Sequence, residues 1–266
     1  MKINALKLVC FSPTGTTKSV LQGIARGIKS PTAQLVDITL PEARNHPLAA
    51  RENELLVVGV PVYMGRVPAL LNDWLTGIKA WRTPAVGVVV YGNRAYDNAL
   101  LELKDILKKQ GCILVAGGAY IGEHSFSSVQ TPTAHGRPDI NDLGHAESFG
   151  RKIREKLNGV SSADELKDIR VPGSYPYEGV TKLWDVDFID VSNGCVQCGA
   201  CAQVCPVGAV DPEASPPIDL EKCITCCACI KACPQGARTM KKGPVMDAAL
   251  RLNSLCQEPK EPAFFL

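Results

Sequence analysis

Residues 4–20 read NALKLVCFSPTGTTKSV, and the last ten decide how the first half of the chain is read. An apolar run ends at Phe11, and a hydroxyl-rich turn follows. From Thr16 the apolar residues Val20, Leu21, Ile24 and Ile28 recur at helical spacing. The turn nearly spells the triphosphate loop G-x-x-x-x-G-K-S/T. Lys18 and Ser19 fit, but Ser12 and Thr17 stand where both glycines belong. The dinucleotide pattern G-x-G-x-x-G fails too, because Gly15 is the only glycine in the turn. A helix N-terminus offers unpaired N–H groups and a partial positive charge, and Ser12, Thr14, Thr16 and Thr17 add neutral hydroxyl donors. That set suits one terminal monophosphate better than a polyphosphate with its magnesium. An ordinary hydroxyl-rich helix cap is the competing reading.

Residues 1–158 alternate between two patterns. Short β-rich apolar runs lie at Leu6–Phe11, Gln34–Ile38, Leu55–Val60, Ala85–Tyr91 and Cys112–Tyr120. Helical stretches lie at Thr16–Lys29, Ala69–Lys79, Ala95–Gln110 and Asp142–Leu157, with a less clear connection at Pro41–Asn53. Continuous apolar strands separated by amphipathic helices predict a doubly wound α/β domain, a five-stranded parallel sheet in the order 2-1-3-4-5. Residues 159–186 read as a linker lying across a surface, with Trp184 anchoring its end. Residues 187–240 form a small cysteine-rich unit, and 241–266 a closing helix and a tail whose aromatics dock back.

The chain has 266 residues, 45% hydrophobic and 21% charged, with a formal net charge of +2. Those values give no electrostatic case for nucleic acid or a membrane surface. No signal-peptide or membrane-spanning pattern stands out, so a cytoplasmic protein is expected. Of twelve cysteines, nine fall between Cys195 and Cys233. In a reducing compartment that density points to metal rather than disulfides.

The cysteine unit is an internal repeat. Residues 195–209 read CVQCGACAQVCPVGA and residues 223–237 read CITCCACIKACPQGA. Each follows C-x₂-C-x₂-C-x₃-C-P, the run in which the fourth cysteine serves the other of two iron–sulfur clusters. Cys195, Cys198, Cys201 and Cys233 are therefore assigned to cluster I, and Cys223, Cys226, Cys229 and Cys205 to cluster II. Zinc modules use separated C-x₂-C pairs, not quartets ending in Cys-Pro. Cys227 stands where the first repeat has Gly199, as a ninth thiol packed beside the cluster. Acidic residues (Asp185, Asp187, Asp190, Asp211, Glu213) flank the first repeat and basic ones (Lys222, Lys231, Arg238, Lys241, Lys242) the second. Proximity in sequence therefore predicts the higher potential for cluster II.

Residues 1–158 resemble a flavodoxin, whose phosphate-loop pattern S/T-x-T-G-x-T is present as Ser12–Thr17. The whole chain resembles the flavodoxin–ferredoxin fusion proteins of anaerobic bacteria and archaea. In those, a PVYxGRVP segment after the third strand and a YGNR-like turn after the fourth also occur, here at 61–68 and 91–94. The resemblance implies flavin mononucleotide (FMN), with Ser12, Thr14, Gly15, Thr16 and Thr17 around its phosphate. Pro61, Tyr63, Met64 and Gly65 would meet one side of the flavin ring, with the Gly65 peptide beside N5. Gly92, Asn93, Arg94 and Tyr96 would meet another edge, with Asp97 nearby. Tyr63 and Tyr96 are the only evident ring-stacking aromatics. Arg66 and Arg94 would either face reduced flavin or pair with carboxylates. The long segment 121–141, including Glu123, His124, Phe126 and His135, would cover the flavin or line a path to the clusters.

FMN with two 4Fe–4S clusters implies an electron-transfer protein serving a ferredoxin-type donor or acceptor, or a larger oxidoreductase, in anaerobic metabolism. Two readings compete with it. One is a flavin-dependent reductase of a small substrate fed through the clusters. The other is an NAD(P)H-dependent oxidoreductase. A homodimer with a shorter internal route is a further open possibility.

Overall fold

The computed structural model describes residues 1–179, 186–211 and 218–266. Trp184, Asp185 and Glu213 lie outside the described residues. The N-terminal part alternates β1 (Ala5–Cys10), α1 (Thr16–Ile28), β2 (Ala33–Asp37), β3 (Glu54–Pro61), α2 (Asn72–Thr76), β4 (Thr83–Tyr91), α3 (Ala99–Lys109), β5 (Cys112–Ile121) and α4 (Ile140–Asn158). The five strands run parallel in the order 2-1-3-4-5, the flavodoxin-like doubly wound arrangement. β3 and β4 are buried almost throughout, as sheets covered on both faces require. One apolar layer, with Leu21, Ile24, Phe149 and Ile153, fills the side under α1 and α4. A second, with Leu71, Trp74, Leu100 and Leu103, fills the opposite side.

The expected helix at 69–79 is shorter than the periodicity suggests. A 3₁₀ turn at Ala69–Leu71 precedes the five-residue α2, whose end is capped by Gly77. The described part of the expected linker, 159–179, packs on the α/β domain. Ile169 donates its N–H to Leu114 (2.9 Å) and is buried, and the Tyr177 hydroxyl donates to Asp105 at 2.6 Å.

The cysteine-rich unit pairs β6 (Ile189–Val191) antiparallel with β7 (Arg238–Met240) and carries two one-turn helices, α5 (Ala200–Gln203) and α6 (Ala228–Lys231). The two triplets share one backbone trace. Gln197 and Gly199 have φ of 54° and 73°, and Thr225 and Cys227 have 56° and 57°. Cys227 thus holds the left-handed conformation that Gly199 adopts freely, at a cost of roughly 1–2 kcal/mol.

The chain then returns to the first domain. Helix α7 (Pro244–Leu255) leads to β8 (Ala263–Phe265), which pairs antiparallel with β5 as a sixth strand. Phe264 stacks on Phe149 with ring centroids 5.1 Å apart. No helix among the described residues is long and apolar enough to cross a membrane.

Candidate functional site

Beyond the carboxyl ends of the parallel strands, at the β1/β3 switch point, lies a cleft of about 470 Å³. Its first wall is the loop from Ser12 to Thr17. Gly15, at φ 86°, turns the backbone into α1, a conformation that suits glycine. The Ser12 hydroxyl accepts from the Lys18 N–H at 3.1 Å. Lys18 itself, the residue that mimics a triphosphate loop, pairs with Asp37 at 3.1 Å. The buried Thr17 Oγ1 has no hydrogen-bond partner among the described residues. A hydroxyl buried at a helix N-terminus without an acceptor fits a bound anion there.

The second wall is the hairpin Tyr63–Arg66. Tyr63 and Arg66 exchange two backbone hydrogen bonds of 3.0 Å, and Met64 and Gly65 have φ of 53° and 81°. Two positive φ values define a type I′ turn. It leaves Met64 exposed and presses Gly65 so close to Asp97 that a Cβ would lie 2.5 Å from its Oδ2.

The third wall pairs Gly92 with His124. A Cβ on Gly92 would lie 2.1 Å from the His124 ring, so only glycine permits this approach. His124 Nδ1 accepts from the Phe126 N–H at 3.0 Å, which leaves the proton of the neutral ring on Nε2. Burial, reinforced by Lys231 and Arg94, pushes its pKa down to about 4. The ring is therefore a neutral donor at physiological pH.

Ser12, Thr14, Thr16, Thr17, Pro61, Tyr63, Met64, Gly65, Gly92 and Arg94 all border the cleft. Four other expected residues do not. Gly15 shapes the turn from behind. The buried Asn93 points away: its Nδ2 donates to the Cys256 and Glu258 carbonyls (3.0 and 2.9 Å), and its Oδ1 accepts from the Lys260 N–H at 2.9 Å. Tyr96 packs edge-on against Tyr91, with centroids 5.5 Å apart, and does not face a ring site. Asp97 pairs with Arg94. Arg66 is committed to Glu102 through bonds of 2.8 and 2.7 Å.

Sequence reasoning missed the fourth wall. Thr225, between two cluster cysteines, borders the cleft together with Arg251, Leu252 and Leu255 of α7. Thr225 is buried and its hydroxyl has no partner among the described residues. The Tyr63 hydroxyl is raised well above the ordinary tyrosine range by burial, with Cys226 and Cys227 adding to the shift. The second cysteine triplet is thus built into the cleft, whereas the first stands away from it.

The cysteines surround two small cavities. Cys195, Cys198, Cys201 and Cys233 line one, and Cys223, Cys226, Cys229 and Cys205 line the other. Each set is one triplet plus the fourth cysteine of the opposite repeat, the crossing expected from the spacing. Cys205 and Cys233 each accept a backbone N–H, from Ala209 (3.2 Å) and Ala237 (3.3 Å), as thiolate ligands should. Among the described residues, no three His, Cys, Asp or Glu side chains converge as ligands of a single ion would. Thiolates spread around a space are the donor set of an iron–sulfur cluster. Cage II is the buried one; in cage I Cys198 is exposed. Cys227 borders cage II as an extra buried thiol, and Cys10, Cys112 and Cys256 are also buried.

The geometry defines a class: a flavodoxin-like α/β domain with a two-cage cysteine unit docked over its cleft. Residues 188–234 match the family described as 4Fe-4S dicluster domain. No curated protein matches the chain. Among solved structures, a flavodoxin from the domain Archaea is 15% identical with a TM-score of 0.41, covering 59% of this chain and 99% of its own. Flavodoxin 1 from Bacillus cereus is 17% identical with a TM-score of 0.41, covering 60% and 100%. A Fusobacterium nucleatum flavodoxin bound to flavin mononucleotide is 14% identical with a TM-score of 0.37, covering 60% and 98%.

Proposed function

We propose that the chain is an electron-transfer protein that holds FMN in the cleft and a 4Fe–4S cluster in each cage. One observation carries the reading: the cleft at the switch point is walled on one side by the phosphate-type loop and on another by Thr225 of a cluster-binding triplet. FMN exchanges one or two electrons and each cluster one, so the pair links two-electron and one-electron chemistry.

In this reading the N-terminus of α1, with Ser12, Thr14, Thr16 and Thr17, holds the phosphate. The Tyr63–Arg66 hairpin and the Gly92 turn position the ring, and His124 offers its Nε2–H. Helix α7 and the 122–126 loop exclude water. Cage II lies beside the cleft and cage I presents Cys198 to solvent, an arrangement suited to a protein partner. We take that partner to be a ferredoxin-type protein or a larger oxidoreductase of anaerobic metabolism, in the cytoplasm.

The test is an anaerobic titration of cofactor-replete protein with NADH and NADPH. Reduction by a ferredoxin-type donor or dithionite, with neither nucleotide effective, is expected. Rapid bleaching of flavin and clusters by either nucleotide would replace this reading with a pyridine-nucleotide oxidoreductase.

A further inference from the structure

Arg238 begins β7, directly after the second Cys-Pro-Gln-Gly-Ala run. The matching place in the first repeat holds Val210, an apolar side chain that is 5% exposed. Arg238 is more deeply buried, at 2% exposed, and neither Nη atom has a hydrogen-bond partner among the described residues. A charged group enclosed without acceptors costs several kcal/mol, so a negative partner belongs in this space.

The surroundings identify that partner. Arg238 lines the cavity bounded by Cys195, Cys198, Cys201 and Cys233. Asp211 shares this wall. Three of the lysines near the second repeat are engaged elsewhere. Lys222 pairs with Asp219 at 2.6 Å, Lys231 with Glu123 at 2.8 Å, and Lys241 with Asp187. The cation that sequence proximity gives to cluster II therefore stands, in space, at cage I.

Resting on the reading of the cages as cluster sites, we infer that Arg238 donates its Nη hydrogens to the sulfur atoms of cluster I and raises that cluster's reduction potential above cluster II's. Reduction adds one negative charge, and a fixed cation in a low-dielectric wall stabilises the reduced state. The transfer so favoured moves one electron. Reduced cluster II is oxidised and cluster I reduced, with no bond broken and no proton moved. Arg238 is a positioning residue that draws electrons from the buried cage beside the cleft to the cage with an exposed ligand. The order is the reverse of the one that sequence proximity suggests.

The test is an EPR-monitored anaerobic redox titration of the cofactor-replete protein, with cluster I identified by the signal that Cys198→Ser changes. Arg238→Met is expected to lower the cluster I midpoint by about 59 mV, a tenfold change in its one-electron equilibrium, and to move cluster II less. Unchanged midpoints, or a shift confined to cluster II, would overturn the inference. Should Arg238→Met fail to assemble, Arg238→Lys keeps the charge but loses the planar fork. It should then give a smaller downward shift of cluster I, and no shift overturns the inference. Wild-type protein lacking two 4Fe–4S signals would instead remove the cluster reading beneath it.

Discussion

The ammonium of Lys231 lies 2.8 Å from the carboxylate of Glu123 and so ties helix α6, beside the second cysteine triplet, to the loop that walls the cleft. Other contacts cross the same boundary. Arg44 donates to the Pro206 carbonyl at 2.6 Å, Phe126 packs into the core of the cysteine unit, and Ile224 packs against the core of the α/β domain. Pro206 and Ile224 adjoin Cys205 and Cys223, so it is cage II that is pressed onto the first domain. Reversing the charge with Lys231→Glu would set two carboxylates face to face. A cost of about 1 kcal/mol, or roughly 2–4 °C in Tm, is expected for a partly exposed pair. Calorimetry under anaerobic conditions checks it, and an unchanged Tm would mean that this pair does not hold the domains together.

The Gly92–His124 approach makes a sharper prediction. Gly92→Ala places its Cβ 2.1 Å from the ring, so the histidine must leave its pocket. FMN affinity should fall more than tenfold. Gly92→Ala combined with His124→Gly removes every clashing atom, the His124 Cβ at 2.8 Å included, and should bind FMN more tightly than Gly92→Ala alone. A double variant as weak as the single one would place the effect of residue 92 elsewhere.

His124 also sets a pH dependence. Its pKa in the folded chain is about 4 against an ordinary 6.5, so the unfolded chain takes up the proton first as pH falls. Its contribution to stability is complete above about pH 6.5, is lost through the window down to about pH 4, and totals about 3 kcal/mol over that window. Between pH 7 and 5 the wild-type Tm should fall several degrees more than that of His124→Gln. Parallel profiles would mean that the ring is solvated or already charged.

Thr17 and Thr225 carry buried hydroxyls without partners among the described residues, and in the proposed reading the first faces the phosphate of FMN and the second its ring. Thr17→Val should weaken FMN binding about tenfold and leave riboflavin, which lacks the phosphate, almost unaffected. Thr225→Val should weaken both ligands alike, and Thr225→Ser should restore binding. Fluorescence titration reads both affinities. Equal losses for FMN and riboflavin in Thr17→Val would contradict the phosphate assignment.

Much of this was legible in the sequence because the signals are local. Apolar runs, helical periodicity and the spacing of eight cysteines each lie within short windows, and the glycine-poor turn at 12–17 marks an anion site without reference to the rest of the chain. The missing parts are contacts between distant segments. Asn93 looks like a flavin contact within YGNR, yet its side chain bonds carbonyls more than 160 residues away. Tyr96 offers an aromatic ring, but it packs edge-on against Tyr91 and does not border the cleft. Thr225 reads as spacing between cysteines until docking brings it to the cleft. Glu123–Phe126 did leave a trace, in a loop too long for a mere connection. Charge proximity does not show where a side chain goes: Arg238 follows the second repeat in sequence but lines the cage of the first.

The central claim is that one chain carries FMN beside two clusters. A stoichiometric dithionite titration of purified, cofactor-replete protein, followed by absorbance and EPR, tests it most directly. The account predicts that each chain takes up two electrons at the flavin and one at each of two 4Fe–4S clusters. Uptake by the clusters alone, with no flavin retained after FMN has been supplied, would contradict it.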